Sequence, residues 1–264
     1  MNGDSIKYTK INQREWDKIA EAGCEWTKPI SHEKLIENKN NDFKLYISPS
    51  IPIPRDWLPD DIEGKKILGL ACGGGQQMPI LAVNGADCTV FDISEKQLEQ
   101  DKYVMERENI KYNLVQGDMT ERFPFDDESF DIIIQAFCNL YIQDMQFVWN
   151  ECYRVLKKGG IMIATMDNGI NCLFKNQSKE PLIVENKLPL NTLEIKKIRQ
   201  AYNGFDMNQI CIFSHTLEDN IRGQLKAGFT LIDLYEDRDT QDTEGFLIKN
   251  YIPQYINTLS KKNF

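Results

Sequence analysis

The sequence predicts an α/β protein built on a doubly wound, mostly parallel sheet with helices on both faces. Three observations carry this expectation. Short apolar runs alternate with helical segments from about Lys65 to Met166, the first run passes straight into three consecutive glycines, and the second ends in an acid. Strands joined through helices imply right-handed crossovers, and sheets built that way bind ligands beyond the carboxyl ends of their strands.

Residues 67–71 read as the first strand, running into Cys72-Gly73-Gly74-Gly75, where the backbone must pass very close to a ligand. A helix starting at Gly75 or Gln76 follows. Pro79 fits only a first turn, where its missing N–H has no intrahelical partner to lose, and Asn84-Gly85 closes the helix. Residues 88–91 form a second strand, which places Asp92 at a strand-to-helix corner and offers an acceptor for two ribose hydroxyls. Ser94-Glu95-Lys96-Gln97 makes a capping box for a helix reaching about Glu108. A third strand, 112–116, ends in Gly117-Asp118-Met119, and a fourth, 130–135, is entered through the acidic turn 126–129. Met145, Val148, Cys152, Val155 and Leu156 recur at helical spacing, and Gly159-Gly160 is expected to stop that helix before a fifth strand at 161–166.

Outside this core, residues 1–64 read as an N-terminal arm, with scattered aromatics such as Trp16, Trp26 and Trp57 and a proline-rich connector at 48–54. Residues 65–169 form the cofactor-binding core. Residues 170–213 form an inserted substrate lid, with a helix expected at 192–202. Residues 214–264 complete the core with a helix from Thr216 to Lys226 and two closing strands, 229–235 and 246–252.

Composition bounds the function. The chain has 264 residues, 41% hydrophobic and 27% charged, as in an ordinary globular protein. Its net charge of -9 repels phosphodiester backbones and anionic membranes, so neither a nucleic acid nor a membrane is an expected partner, and an RNA substrate is disfavoured. No stretch approaches a bilayer span and no signal-peptide core is visible, so a cytoplasmic location is expected. Seven cysteines without a CxxC pair read as reduced, mostly buried thiols, and no metal site is expected.

In order along residues 64–252 stand the glycine loop, the acid after strand two, Gly-Asp after strand three, Ser-Phe-Asp before strand four and Arg-Val-Leu-Lys-Lys-Gly-Gly before strand five. This order resembles the class I, seven-stranded, Rossmann-like S-adenosylmethionine-dependent methyltransferases. The resemblance implies S-adenosyl-L-methionine as cofactor. It also implies roles for Ala71, Cys72, Gly73 and Gly75 in the loop, where a Cβ on either glycine would occupy ligand space. Asp92 would hold the ribose, Ile93 would lie on the adenine face, Asp118, after Gly117, would accept from the adenine amine, and the Met119 amide would donate to the ring. Gln135, Ala136 and Phe137 would face the methionine. The chain departs from the family loop at Gly69, which stands for an acid, and at Ala71, which stands for a glycine.

The resemblance implies methyl transfer to a small-molecule acceptor. Because the sulfonium is already activated, in-line approach and exclusion of water matter more than acid–base machinery. If a base is used, His215, Tyr141, Glu236 and Asp237 are the candidates, with a helix-flanking structural role as the other reading of His215. Gly69 and Ala71 motivate an alternative, a non-catalytic S-adenosylmethionine-binding sensor or partner subunit. A nicotinamide oxidoreductase is disfavoured by Met78, where the dinucleotide fingerprint has glycine or alanine. The sequence leaves the oligomeric state open.

Overall fold

The computed structural model describes residues 7–40, 42–174, 180–194, 201–202, 205–206, 210–240 and 247–263. The arm holds helices α1 (Tyr8–Glu21) and α2 (His32–Glu37). There follow β1 (Lys66–Leu70), α3 (Gln77–Val83), β2 (Asp87–Asp92), α4 (Glu95–Glu108), β3 (Asn113–Gln116) and β4 (Phe130–Gln135). Next come α5 (Met145–Val155), β5 (Leu156–Asp167), the two-residue strands β6 (Ala201–Tyr202) and β7 (Phe205–Asp206), α6 (Gly223–Ala227), β8 (Thr230–Asp237) and β9 (Tyr255–Lys261). Seven of these strands form one sheet in the order β3-β2-β1-β4-β5-β9-β8, and β6 pairs with β7 apart from it. The pairs among β1 to β5 are parallel, and β9 is antiparallel to both of its neighbours. The strand order reverses between β1 and β4, which opens a crevice at their carboxyl ends.

Alternation along the strands divides the core between the two faces. Ile67, Val90, Ile132, Ile134 and Ile163 point to one face, where the arm's Leu35, Phe43, Leu45, Ile53 and Trp57 cover them. Leu68, Leu70, Phe91, Ile133 and Met162 point to the other, against Val148, Trp149, Cys152 and Val155 of α5. The second half of the arm is thus one wall of the core. It is pinned to the far edge of the sheet, where the Trp57 indole donates to Asp233 at 3.1 Å and Asp237 accepts from the Ser50 and Ile51 amides.

The expected elements of the first half of the core are present, within a residue or two at their ends. Pro79 lies in the first turn of α3, and the Ser94 hydroxyl accepts from the Gln97 amide at 3.2 Å. Four expectations are corrected. Helix α5 stops at Val155, before the glycine pair, because the turn ahead of β4 captures its last carbonyls: the Glu128 amide donates to Arg154 and the Ser129 amide to Val155. Strand β5 therefore begins at Leu156, and Gly159, at φ 77°, lies in a bulge between the Phe130–Leu156 and Ile132–Ile161 pairs. The helix expected at 192–202 is not seen in its described part: Thr192 to Glu194 form a turn and Ala201–Tyr202 a strand, while residues 195–200 lie outside the described residues. The last strand is Tyr255–Lys261, and Leu247–Asn250 form a 3-10 turn. The helix after Thr216 exists but opens with a wide π turn, Glu218–Arg222, whose Asp219 carbonyl accepts from the Trp149 indole at 3.0 Å.

Candidate cofactor site

The glycine loop leaves β1 with Ala71 at φ 50°, the left-handed region that glycine would occupy without cost. Two carboxylates grip the loop. Asp92, at the end of β2, accepts from the Gly73 amide at 3.0 Å through Oδ2 and from the Ser94 amide at 2.9 Å through Oδ1. Asp101, on the buried side of α4, accepts from the Gly74 amide at 2.9 Å and from the Tyr112 hydroxyl at 2.8 Å. Burial pushes the Asp92 carboxyl up to about 6 and the Asp101 carboxyl up to about 7, against the backbone and hydroxyl donors that favour ionisation.

The remaining expected residues converge on the same crevice. The Gly117 amide donates to the Asp92 carbonyl, and the Cys72 thiol lies against the Ile134 carbonyl at 3.4 Å. The Gln135 side chain donates to the Cys138 sulfur at 3.1 Å, and that sulfur lies 3.9 Å from the Met119 sulfur. Ile93 and Ala136 are half-buried beside Asp92 and Gln135. Phe137 sits at φ 38° with its ring edge-on to Tyr255, an outlier for so bulky a side chain and the kind of strain that clusters at ligand sites. Asp118 accepts from the Thr120 amide and hydroxyl, and its other oxygen takes Lys7 of the arm at 2.9 Å.

A packing reason stands beside the expected one. A Cβ on Gly73 would lie 2.7 Å from the Gln97 Cβ, and one on Gly75 would lie 2.8 Å from Val104, so these glycines make room for α4. Gly69 is filled in the same way: a Cβ there would lie 2.8 Å from the sulfur of Met78, which is fully buried. Gly69 and Met78 are therefore complementary, with the small residue on the strand admitting the large one on the helix.

Of the base candidates, His215 is buried with Nε2 between the carbonyls of Asn139 (3.0 Å) and Ile142 (2.8 Å). That nitrogen must donate, burial depresses the imidazole's affinity for a second proton, and the side chain ties the end of the insertion to the segment after β4. Glu236 lies within β8, exposed at the sheet edge, with β5 and β9 between it and β4, and the neighbouring Asp237 holds the arm. Tyr141 is near the crevice, edge-on to Trp16 of α1 at 5.3 Å, and burial keeps its phenol protonated. The sequence reading missed Asp101 and Gln97. Their signal was present as polar residues on the helical stripe that continues through Val104.

The acceptor set fits the cofactor. Asp92, Asp118 and the Gln135 Oε1, which is buried without a partner among the described residues, are all acceptors, whereas ribose hydroxyls, an adenine amine and an ammonium all donate. A methyltransferase domain model matches residues 68–164. "Uncharacterized methyltransferase YbaJ" of Bacillus subtilis is 38% identical over 253 residues, 95% of this chain and 97% of that protein. The chain belongs to the class I S-adenosylmethionine-dependent methyltransferases. Its cofactor is S-adenosylmethionine. This methyltransferase is also 28% identical, over 60% of its length, to 66% of the ubiquinone biosynthesis O-methyltransferase of Pelagibacter ubique. Its fold is shared with an S-adenosylmethionine-dependent methyltransferase from Mesorhizobium loti (TM-score 0.59, 16% identity, 78% of this chain and 94% of that one). A Haloferax volcanii methyltransferase solved in complex with the activator Trm112 also shares it (TM-score 0.60, 13% identity, 95% of this chain and 98% of that one).

Proposed function

We propose that this methyltransferase acts on a small-molecule acceptor enclosed beneath helix α1 and the described part of the segment 170–213, which together would form a lid over the carboxyl ends of the strands. The observation that carries the reading is the path of α1. Lys7, just before it, pairs with Asp118 after β3; Tyr8 accepts from the Gln143 amide after β4; Asp17 accepts from Ser94 after β2. Asn12 exchanges two hydrogen bonds with the Cys211 backbone, at 3.0 and 2.7 Å. A crevice crossed by a helix suits a ligand that can be enclosed, and a chain of net charge -9 is poorly suited to a nucleic acid. Support also comes from relatives whose names specify small molecules, among them the ubiquinone biosynthesis O-methyltransferase and the demethylmenaquinone methyltransferase of Tropheryma whipplei.

Within this reading Asp92 holds the ribose, Asp118 the adenine amine and Gln135 the methionine end. Asp118, which pairs with Lys7 at 2.9 Å, would have to release that lysine to hold the adenine amine. Bound S-adenosylmethionine supplies a methyl group on a sulfonium already activated for transfer. The chain's own contribution is to orient the acceptor and exclude water, with the protonated Tyr141 placed to donate a hydrogen bond rather than to remove a proton. We place the protein in the cytoplasm, in keeping with seven free cysteines and with the lack, among the described residues, of a helix long and apolar enough to cross a membrane.

Titration calorimetry and a labelled-methyl assay test the proposal. S-adenosylmethionine and its demethylated product should bind the wild type, and Asp92→Ala should weaken both at least about tenfold, the scale of a charge-assisted hydrogen bond. Labelled methyl from the cofactor, incubated with a cell extract, should enter the low-molecular-weight fraction. Label in RNA or protein would overturn the small-molecule reading, and tight binding with no label transferred anywhere would favour the non-catalytic sensor.

A further inference from the structure

Gly69 stands where the family pattern has an acid, and the loop amides are held by other carboxylates. The Gly73 amide goes to Asp92, and the Gly74 amide is shared between the Asp101 carboxylate at 2.9 Å and the Gln97 carbonyl at 3.0 Å. Asp101 is fully buried and is itself held by the Tyr112 hydroxyl, so its position is fixed from two sides. A buried carboxylate on the packed face of a helix carries a desolvation cost, which a structural role in α4 alone would not require, since an apolar residue would pack there at least as well.

We propose that Asp101, oriented by Tyr112, is the positioning residue that sets the glycine loop for the cofactor, working through the Gly74 amide without touching the cofactor itself. The proposal rests on the cofactor assignment and not on the identity of the acceptor. An ionised carboxylate is a markedly stronger acceptor than a protonated one, so the loop is held best when Asp101 is charged. The groups that face it are Tyr112 ahead of β3, Asp92 at the end of β2 and Cys72 in the loop, with Cys88 behind Tyr112. The two thiols and the phenol stay protonated near neutrality, burial pushing each of them up. The titration near pH 7 therefore belongs to the Asp92–Asp101 pair. Burial raises both carboxyls, so the charged form is lost as pH falls through about 7 for Asp101 and about 6 for Asp92, and the clamp slackens in that direction.

The test is calorimetric titration of the demethylated cofactor from pH 6 to 8.5 with the wild type, Asp101→Asn and Tyr112→Phe. Wild-type affinity should rise with pH. Asp101→Asn keeps the shape and an acceptor but not the charge; it should bind about tenfold more weakly at pH 8.5 and converge on the wild type at pH 6. An offset that is the same at every pH, or no change at all, overturns the proposal, because a merely structural residue gives one of those two results. If Asp101→Asn does not fold, Tyr112→Phe decides: removing the donor should move the wild-type profile to higher pH, and an unmoved profile overturns the clamp. A wild type that fails to bind overturns the cofactor assignment and the clamp with it, whereas a binding wild type with an indifferent Asp101→Asn overturns the clamp alone.

Discussion

At position 69 the structure adds a packing reason to a residue that the sequence marks as a departure. Glycine there stands for the family's acid, a departure that motivates the non-catalytic alternative. The structure shows a packing exchange, because the space above Gly69 is filled by the Met78 side chain. Restoring the acid by Gly69→Asp should therefore fail to tighten cofactor binding and should cost about 1–3 kcal/mol of stability, since its Cβ would meet a sulfur in a filled core and a carboxylate would be buried beside it. Chemical denaturation of the variant, alone and with Met78→Ala, checks this: Met78→Ala should recover part of the loss if the clash is the cause. Asp92, Asp118 and Gln135 were legible because strand ends and Gly-Asp turns mark positions in a sequence. Asp101 left a signal only as a polar residue on the helical stripe of α4, because its partner is a loop amide 27 positions away that the sequence does not point to.

Among the elements, legibility followed hydrophobic pattern. Strands β1 to β4 are apolar and bounded by turns, and they were placed nearly to the residue. Strand β9 was missed because three of its five buried positions are polar: Thr165 pairs with Asn257, and Gln224 reaches Thr258 and Ser260, so Tyr255–Lys261 does not look like an interior strand. The apolar run just before it attracted the assignment instead and forms a 3-10 turn. The opening π turn ahead of α6 was equally hidden, since its cause is tertiary. A Cβ on Gly223 would lie 2.7 Å from the ring of Trp149, a fully buried side chain at the centre of α5. Two effects compete at this position. Alanine is favoured over glycine in a helix by about 1 kcal/mol, but overpacking a rigid indole costs about 1–3 kcal/mol. Packing is expected to win, so thermal unfolding should show Gly223→Ala less stable than the wild type; a rise in melting temperature would mean that Trp149 can yield.

At the scale of the whole molecule, the sheet sets where a ligand can go, and in the proposed reading the arm would set how it gets there. The strand-order reversal between β1 and β4 makes the crevice, and the sequence contained enough to expect it. The course of α1 was beyond sequence reasoning, because its anchors are single polar contacts to segments far along the chain. They are unequal in strength. The Lys7–Asp118 pair is partly exposed and screened by salt, so it contributes little. The Asn12 amide is buried and satisfies both the amide and the carbonyl of Cys211, and removing it leaves two buried backbone groups unpaired, at about 1–3 kcal/mol each. That cost falls on the closed arrangement alone, because water can satisfy Cys211 once α1 lifts. Asn12→Ala should therefore shift the balance toward an open crevice. Stopped-flow measurements with the demethylated cofactor should show both association and dissociation several-fold faster than in the wild type, with the equilibrium affinity changed less than either rate. Unchanged rates would mean that the cofactor enters without moving α1, and the helix would then be a fixed wall of the acceptor pocket rather than a gate to it.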